Sequence, residues 1–417
     1  MLQLVFGRSG YGKTEYIRNR IADKIDRGET QVLLITPEQY SFISEYSLLE
    51  QLGEARAHAV RCLSFSRLCD ECDRLYGADG RKPLTKGGKA ILMKTAIDQV
   101  RPDLELFEKK GSSAAFVQSM TGIYDEMKSC NLSGAAVYAA ADDLDTDILR
   151  CKMRDFSRIM TAYEALLGDR FADPANRLTR LYDQIKDQNY FAGQTVFLDG
   201  FNGFVAQEYK ILERIIAEAK AVYIALDSDS FGTGDGYDLF AYVNETAGIL
   251  QRIADKAGVP TNTLQLGENC RTDYADLRRV EQYIFADQAP ETEIPAEHIR
   301  LYAASTVTDA CNDLALQIKG LLRCGYRAGE IAVTMRDREK YAPVLASAFE
   351  KYGVPYYADE RQPVTAQPIL VFPMYLMRSV IYGWRSDDLF SLIKTGLTDV
   401  SDSPDLHRTE NYVYTWG

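Results

Sequence analysis

Gly7-Arg8-Ser9-Gly10-Tyr11-Gly12-Lys13-Thr14 fits G-x-x-x-x-G-K-[ST] without a mismatch. The chemistry that spacing suits is holding the phosphate chain of a nucleotide. A polyphosphate needs several N–H donors converging on it, from a loop that can come close. Gly7, Gly10 and Gly12 allow positive φ and remove β-carbon clashes. The helix that follows turns its N-terminus towards the anion. Lys13 adds a point charge for the β- and γ-phosphates, and the Thr14 hydroxyl is a Mg²⁺ ligand. ATP with Mg²⁺ is the predicted cofactor, and residues 7–14, with Arg8, Ser9 and Tyr11 in the variable places, are the predicted nucleotide-binding set.

Such a loop needs a second acid at the tip of a neighbouring strand to hold Mg²⁺. Val196-Phe197-Leu198-Asp199 supplies one, and Asp199 reads as the acid with an apolar β-run directly before it and a suitable place in the chain. As an Asp-Gly pair it also suits a simple turn. Gly200 stands where a catalytic Glu often sits, so the usual base for an attacking water is missing. Glu208 lies a helix turn or more away and is not taken as a substitute. Arg271, just before a predicted helix (Tyr274 to Phe285), is placed to reach a γ-phosphate, or else is a surface Arg paired with Glu268 or Asp273.

Positioning these groups takes a strand, a loop and a helix in order, and the opening LQLVF, GRSGYGKT, EYIRNRIADKI reads that way. QVLLITP (31–37) reads as a buried parallel strand, which implies a right-handed βαβ unit. From residue 83 to 190 apolar residues recur at helical spacing, predicting an all-helical insertion in an α/β domain. The α/β pattern resumes with QTVFLDGF and AVYIAL. The Pro- and acid-rich QAPETEIPAE marks a linker at 288–295. Beyond it, HIRLYAAS and EIAVTMR read as strands of a second α/β domain over 296–367, and helices follow over 368–417. The chain ends at NYVYTWG with no recognisable cap, as expected of a truncated chain.

Composition narrows the classes. The 417 residues allow two or three domains. With 46% hydrophobic and 26% charged residues, the chain is neither disordered nor fibrous. A net charge of −12 excludes a uniformly basic nucleic-acid coat but not a local basic groove. No apolar run is long enough to span a membrane and no secretory signal opens the chain, so a cytoplasmic protein with free thiols is expected. Among eight cysteines only Cys69 and Cys72 have C-x-x-C spacing, and with three histidines a closed zinc site lacks ligands. The pair falls in an amphipathic helix and reads as packing. Lys86, Lys89 and Lys94 read as a solvated helix face.

The loop at the N-terminus, TPEQYSF (36–42), CLSFSRL (62–68), FLDGFNGF (197–204), AVTMRDREKY (332–341) and LIKTGL (392–397) together resemble the AddB subunits of bacterial AddAB (RexAB) helicase–nucleases. The resemblance runs along essentially the whole chain but corresponds to only the N-terminal part of a longer family protein. It implies a P-loop NTPase (RecA-like), superfamily 1 helicase-like fold with large helical insertions. Residues 1–82 and 191–287 would form domain 1A, 83–190 the insertion 1B, 296–367 the start of 2A and 368–417 the start of 2B. It further implies an AddA-like partner in a heterodimer, single- and double-stranded DNA ends as substrate, and end resection under control of a Chi sequence, with the motor of this chain degenerate. The family's nuclease domain and its iron–sulfur cysteines are not in this sequence, so no nuclease site is assigned. Gly7, Gly12, Lys13 and Thr14 match motif I. Asp199 matches the acid of motif II, while Gly200 departs from its Asp-Glu pattern. Asn269-Cys270-Arg271-Thr272 is similar to an Asn-Tyr-Arg-Ser motif, with Cys for the Tyr that stacks on adenine.

Single-stranded DNA calls for cations along phosphates and aromatic platforms for bases. Phe65, Arg67, Phe201 and Phe204 follow predicted strands and are the candidates, with core packing as the alternative for each ring. A stand-alone P-loop kinase or a nucleotide-gated regulator is the rival reading; a kinase should be shorter, with a basic lid and no second domain.

Overall fold

The computed structural model describes residues 1–78, 80–109, 113–229, 239–286, 290–358, 364–400 and 403–416. It divides into two compact units, Met1–Arg300 and Leu301–Gly417. The expected linker at 288–295 lies partly outside the described residues.

The first unit begins β1 (Leu2–Gly7), α1 (Lys13–Asp26), β2 (Val32–Ile35), α2 (Ser41–Leu52), α3 (Glu54–Ala57), β3 (Val60–Leu63) and α4 (Phe65–Tyr76). Next come β4 (Lys82–Pro83), α5 (Lys86–Val100), α6 (Ala114–Ser129), α7 (Gly134–Ala141), α8 (Asp147–Leu167), β5 (Phe171–Ala172) and α9 (Arg177–Ile185). It closes with β6 (Thr195–Leu198), α10 (Ala206–Glu218), β7 (Ala221–Asp227), α11 (Ala241–Lys256), β8 (Thr261–Gln265) and α12 (Ala275–Tyr283). Six strands form one parallel sheet in the order β3-β2-β6-β7-β1-β8.

The four inner strands are largely apolar, with few polar residues such as Gln3 and Thr195, because helices cover both faces. Alternation along β6 splits the load: Val196 and Leu198 join the core under α4 and α9–α11, while Phe197 turns to the α1/α2 side. There it stacks on Tyr223 of β7 at 4.8 Å. The edge strand β8, Thr-Asn-Thr-Leu-Gln, is polar and largely exposed, as an edge tolerates. Register aligns the strand ends. Gly7 lies opposite Asp227, and Ile35 opposite Leu198, so the loops after β1, β2, β6 and β7 leave from one edge.

Helices α5 to α8 close on a core of their own, with Met93, Ile97, Tyr124, Phe156, Ile159 and Tyr163 at its centre. α9, expected in the same block, instead packs Leu181 and Ile185 into the main core. Lys89 corrects the solvated-face reading. It is 7% exposed, and its ammonium lies 2.8 Å from the buried Asp173 carboxylate and also pairs with Asp125. Asp173 also accepts from the Tyr163 hydroxyl (2.6 Å) and the Ala175 N–H (2.9 Å). Only Lys86 and Lys94 of that cluster face solvent.

In the second unit α13 (Val307–Arg323) and α14 (Arg338–Tyr352) pack around Ala315, Ile318, Leu345 and Phe349. α15 (Pro368–Ile381), α16 (Ser386–Ile393) and α17 (Pro404–Trp416) follow. The strands expected at HIRLYAAS and EIAVTMR carry no ladder; among the described residues no strand follows Gln265. Ile331, Val333 and Met335 still alternate onto the helical core while Ala332 and Thr334 face solvent. The side-chain pattern of a strand is present, but the neighbouring backbone that turns it into one is not.

Two outcomes follow from this packing. Lys89→Ala leaves the Asp173 carboxylate buried without its counter-charge and lowers unfolding free energy by about 3–5 kcal/mol in urea titrations. Burial pushes the Cys69 and Cys72 thiols up to about 12, so neither should react with a thiol reagent at pH 8 until the chain unfolds. Cys130, Cys270 and Cys324 are exposed and should label at once.

Candidate nucleotide-binding site

β1 delivers the chain to Gly7 inside the sheet, where an added β-carbon would come within 3.1 Å of the Tyr11 β-carbon and 3.3 Å of that of Leu266. Gly10 (φ 90°) and Gly12 (φ 77°) take left-handed conformations, and Gly12 is the residue from which α1 starts. The loop therefore curls over the N-terminus of α1, as the residue spacing predicts.

Lys13 lies at its centre. Its ammonium donates to the carbonyl oxygens of Gly7 (2.7 Å) and Arg8 (3.0 Å) and forms an ion pair with Asp227 at the end of β7. Beside it, the Thr14 hydroxyl lies near enough to the Asp199 carboxylate to favour its charged form. Burial raises the Asp199 pKa; the nearby Thr14 hydroxyl and Gly200 N–H and the charges of Lys13 and Arg18 only partly offset it. A half-buried carboxylate next to a hydroxyl fits a divalent cation. Among the described residues no cluster of three or more His, Cys, Asp or Glu could hold a metal unaided. A Mg²⁺ here would draw its remaining ligands from phosphate oxygens and water, as Mg²⁺ commonly does.

Gly200 has a backbone reason to be glycine. Its φ is 81°, and an added β-carbon would sit 3.4 Å from the Pro37 ring. Glu208 is used elsewhere: it accepts the Val205 N–H (2.9 Å) and caps the start of α10, and burial raises its pKa. It does not reach towards the loop as a base.

The segment after β8 lies against the glycine-rich loop. The Cys270 N–H donates to the Gly10 carbonyl (2.8 Å), and the Arg271 guanidinium donates to the Ser9 hydroxyl (3.3 Å). Arg271 thus meets the loop rather than Asp273, which Arg278 takes at 3.0 Å. Arg8 turns outward from the loop. It pairs with Glu281 of α12 (3.0 Å), donates to the carbonyls of Glu281 and Gln282, and lies over the Phe240 ring. Tyr11 is buried and reaches the same Glu281 at 3.4 Å. Of the predicted set, these two bolt the loop to α12, while Lys13, Thr14 and the glycines line its inner side.

The aromatic candidates are placed differently from expectation. Phe65, Phe201 and Phe204 are 6%, 9% and 7% exposed, and their rings pack edge-on or tilted at 4.9–6.5 Å from one another. Their faces are spent on each other, so the open stacking platform expected of them is absent. Arg67 is exposed and pairs with Glu45 at 3.1 Å. Exposed rings near this edge include Tyr40 and Phe42, at the start of α2, and Tyr242, which lies against Gly203.

Sequence reading also missed Asp227 and Glu281. Asp227 follows the apolar run Ala-Val-Tyr-Ile-Ala-Leu, the same signal that singled out Asp199, so Asp199 was not alone in carrying it. Glu281 carries no sequence signal, since only the fold brings α12 to the loop.

Residues 4–281 match the family described as ADDB, N-terminal. The chain belongs to that family. The whole chain also aligns with proteins named as the B subunits of ATP-dependent helicase/deoxyribonucleases. Identity is 27% to that of Clostridium botulinum (strain Hall), 29% to that of Clostridioides difficile (strain 630) and 26% to that of Thermoanaerobacter sp. (strain X514). In each case the chain spans 37% of the relative's length. The family's matched region begins within β1, contains the loop, Asp199 and Asp227, and extends to Glu281 on α12.

Gly10 offers a direct test of this architecture. Gly10→Ala forces a β-carbon to 3.0 Å from that of Arg271 at a left-handed φ, and should destabilise the chain by about 1–3 kcal/mol in denaturant titrations.

Proposed function

We propose that this chain is the N-terminal, ATP-binding part of a helicase–nuclease subunit that processes DNA double-strand breaks for homologous recombination. The observation that carries the reading is the cradle itself: Lys13 at its centre, donating to the Gly7 and Arg8 carbonyls, with Thr14 and Asp199 side by side next to it. The family membership and the names of the relatives support the larger assignment. In this reading the two units derive from P-loop, RecA-like helicase domains, α5–α8 forms the helical insertion, and an AddA-like protein is the partner at DNA ends.

Each residue then has a task. The glycines and the first turn of α1 offer N–H groups to the phosphates, and Lys13 neutralises their outer end. Thr14 and Asp199 hold Mg²⁺, which when bound screens the phosphate charge. Arg271, steadied on Ser9, contributes a second cation. Turnover is weak, since Gly200 offers no carboxylate and the Glu208 carboxylate caps α10. Arg67 contacts the DNA backbone, with Phe65, Phe201 and Phe204 supporting that surface from beneath. Chi recognition and the nuclease belong to the complex, and the setting is the cytoplasm; among the described residues no helix is long and apolar enough to cross a membrane.

Calorimetric titration of the 417-residue chain with MgADP and MgATP tests this. Binding should be saturable and weakened at least about tenfold by Lys13→Ala, the loss of a charge-assisted contact. Phosphate release should stay low with or without single-stranded DNA. Robust DNA-stimulated hydrolysis would contradict the weak-motor reading, and binding indifferent to Lys13 would remove the nucleotide reading.

A further inference from the structure

Asp227 is given no task by the nucleotide reading, yet it supplies the carboxylate that pairs with the central lysine. The three donors of the Lys13 ammonium are all engaged: the Gly7 carbonyl, the Arg8 carbonyl and the Asp227 carboxylate. The two carbonyls belong to the loop that a phosphate chain would line. The carboxylate comes from another strand and is the contact that an incoming anion must displace.

Position and exposure support this. Asp227 ends β7, between β1 and β6, with its backbone in register opposite Gly7. The next residue, Ser228, is buried, bridges back to Gly7 and hydrogen-bonds Asn244 at 2.9 Å, so the Asp227 backbone is fixed beside the cradle. The Lys13 side chain is 11% exposed while that of Asp227 is 43% exposed. The carboxylate can therefore swing into solvent, whereas the ammonium stays in place.

We propose that Asp227 is a specificity-setting residue of the phosphate cradle: it holds Lys13 when no phosphate is present and disfavours a triphosphate relative to a diphosphate. The proposal rests on the nucleotide reading above. A lysine in this loop meets the outer phosphates, so a carboxylate beside it lies nearest the end of the chain. A third phosphate adds negative charge there, and like charges a few ångströms apart repel. A diphosphate meets less of that repulsion.

The test is calorimetric titration of the full chain, as wild type, Asp227→Asn and Asp227→Ser, with MgATP and with MgADP. Circular dichroism melting confirms that each variant is folded, and the serine variant serves if the asparagine one is not. Asp227→Asn should tighten MgATP binding by about fivefold, the upper range for a partly exposed charge pair, and MgADP by clearly less, moving the affinity ratio towards ATP. Wild-type binding with both affinities unchanged in the variants overturns this proposal and leaves the nucleotide reading standing. An equal gain for both nucleotides overturns the selectivity. Lost turnover at unchanged affinity would make Asp227 a proton acceptor and also overturns it. Absence of nucleotide binding in every form removes the nucleotide reading and this proposal together.

Discussion

A parallel sheet delivers the C-terminal ends of its strands to a single edge, and the register of this one makes that edge the place where chemistry gathers. Gly7 lies opposite Asp227, and Asp199 follows directly on the strand between β2 and β7. A one-residue slip of β7 against β1 would turn Asp227 to the other face of the sheet and leave Lys13 with loop carbonyls alone. The register is held by burial on both faces, since β1, β2, β6 and β7 are almost wholly buried. Core packing and site geometry therefore depend on the same constraint.

Charge around the cradle is nearly balanced. Lys13, Arg18 and Arg271 stand against Asp199 and Asp227, and the remaining loop cation, Arg8, is paired with Glu281. Arg8 and Tyr11 tie the loop to α12, whereas Lys13 and Thr14 face its interior. The strand ends thus set where the charges sit, and the variable loop positions set how firmly the loop is held.

Much of this was legible in the residues themselves. The glycine spacing, the apolar runs of β1, β2, β6 and β7, and the helical period of α5–α8 are local patterns, and local patterns survive in a sequence. What could not be read depends on distant partners. Whether Lys89 faces water or Asp173 depends on residues 84 positions apart. The fates of Phe65, Phe201 and Phe204 turn on their meeting one another: an aromatic residue after a strand suits a ring packed in a cluster as well as one open to a base. Ile331, Val333 and Met335 show the limit most plainly, because alternation specifies a face and a ladder requires a second backbone.

The left-handed turn at Gly200 bears on which side chains the site can carry. A glutamate placed there by one exchange would meet a backbone that costs about 1–2 kcal/mol to hold and a proline ring in van der Waals contact. An acidic side chain at that point would therefore come at the expense of chain stability, a trade between a carboxylate beside Asp199 and a relaxed turn.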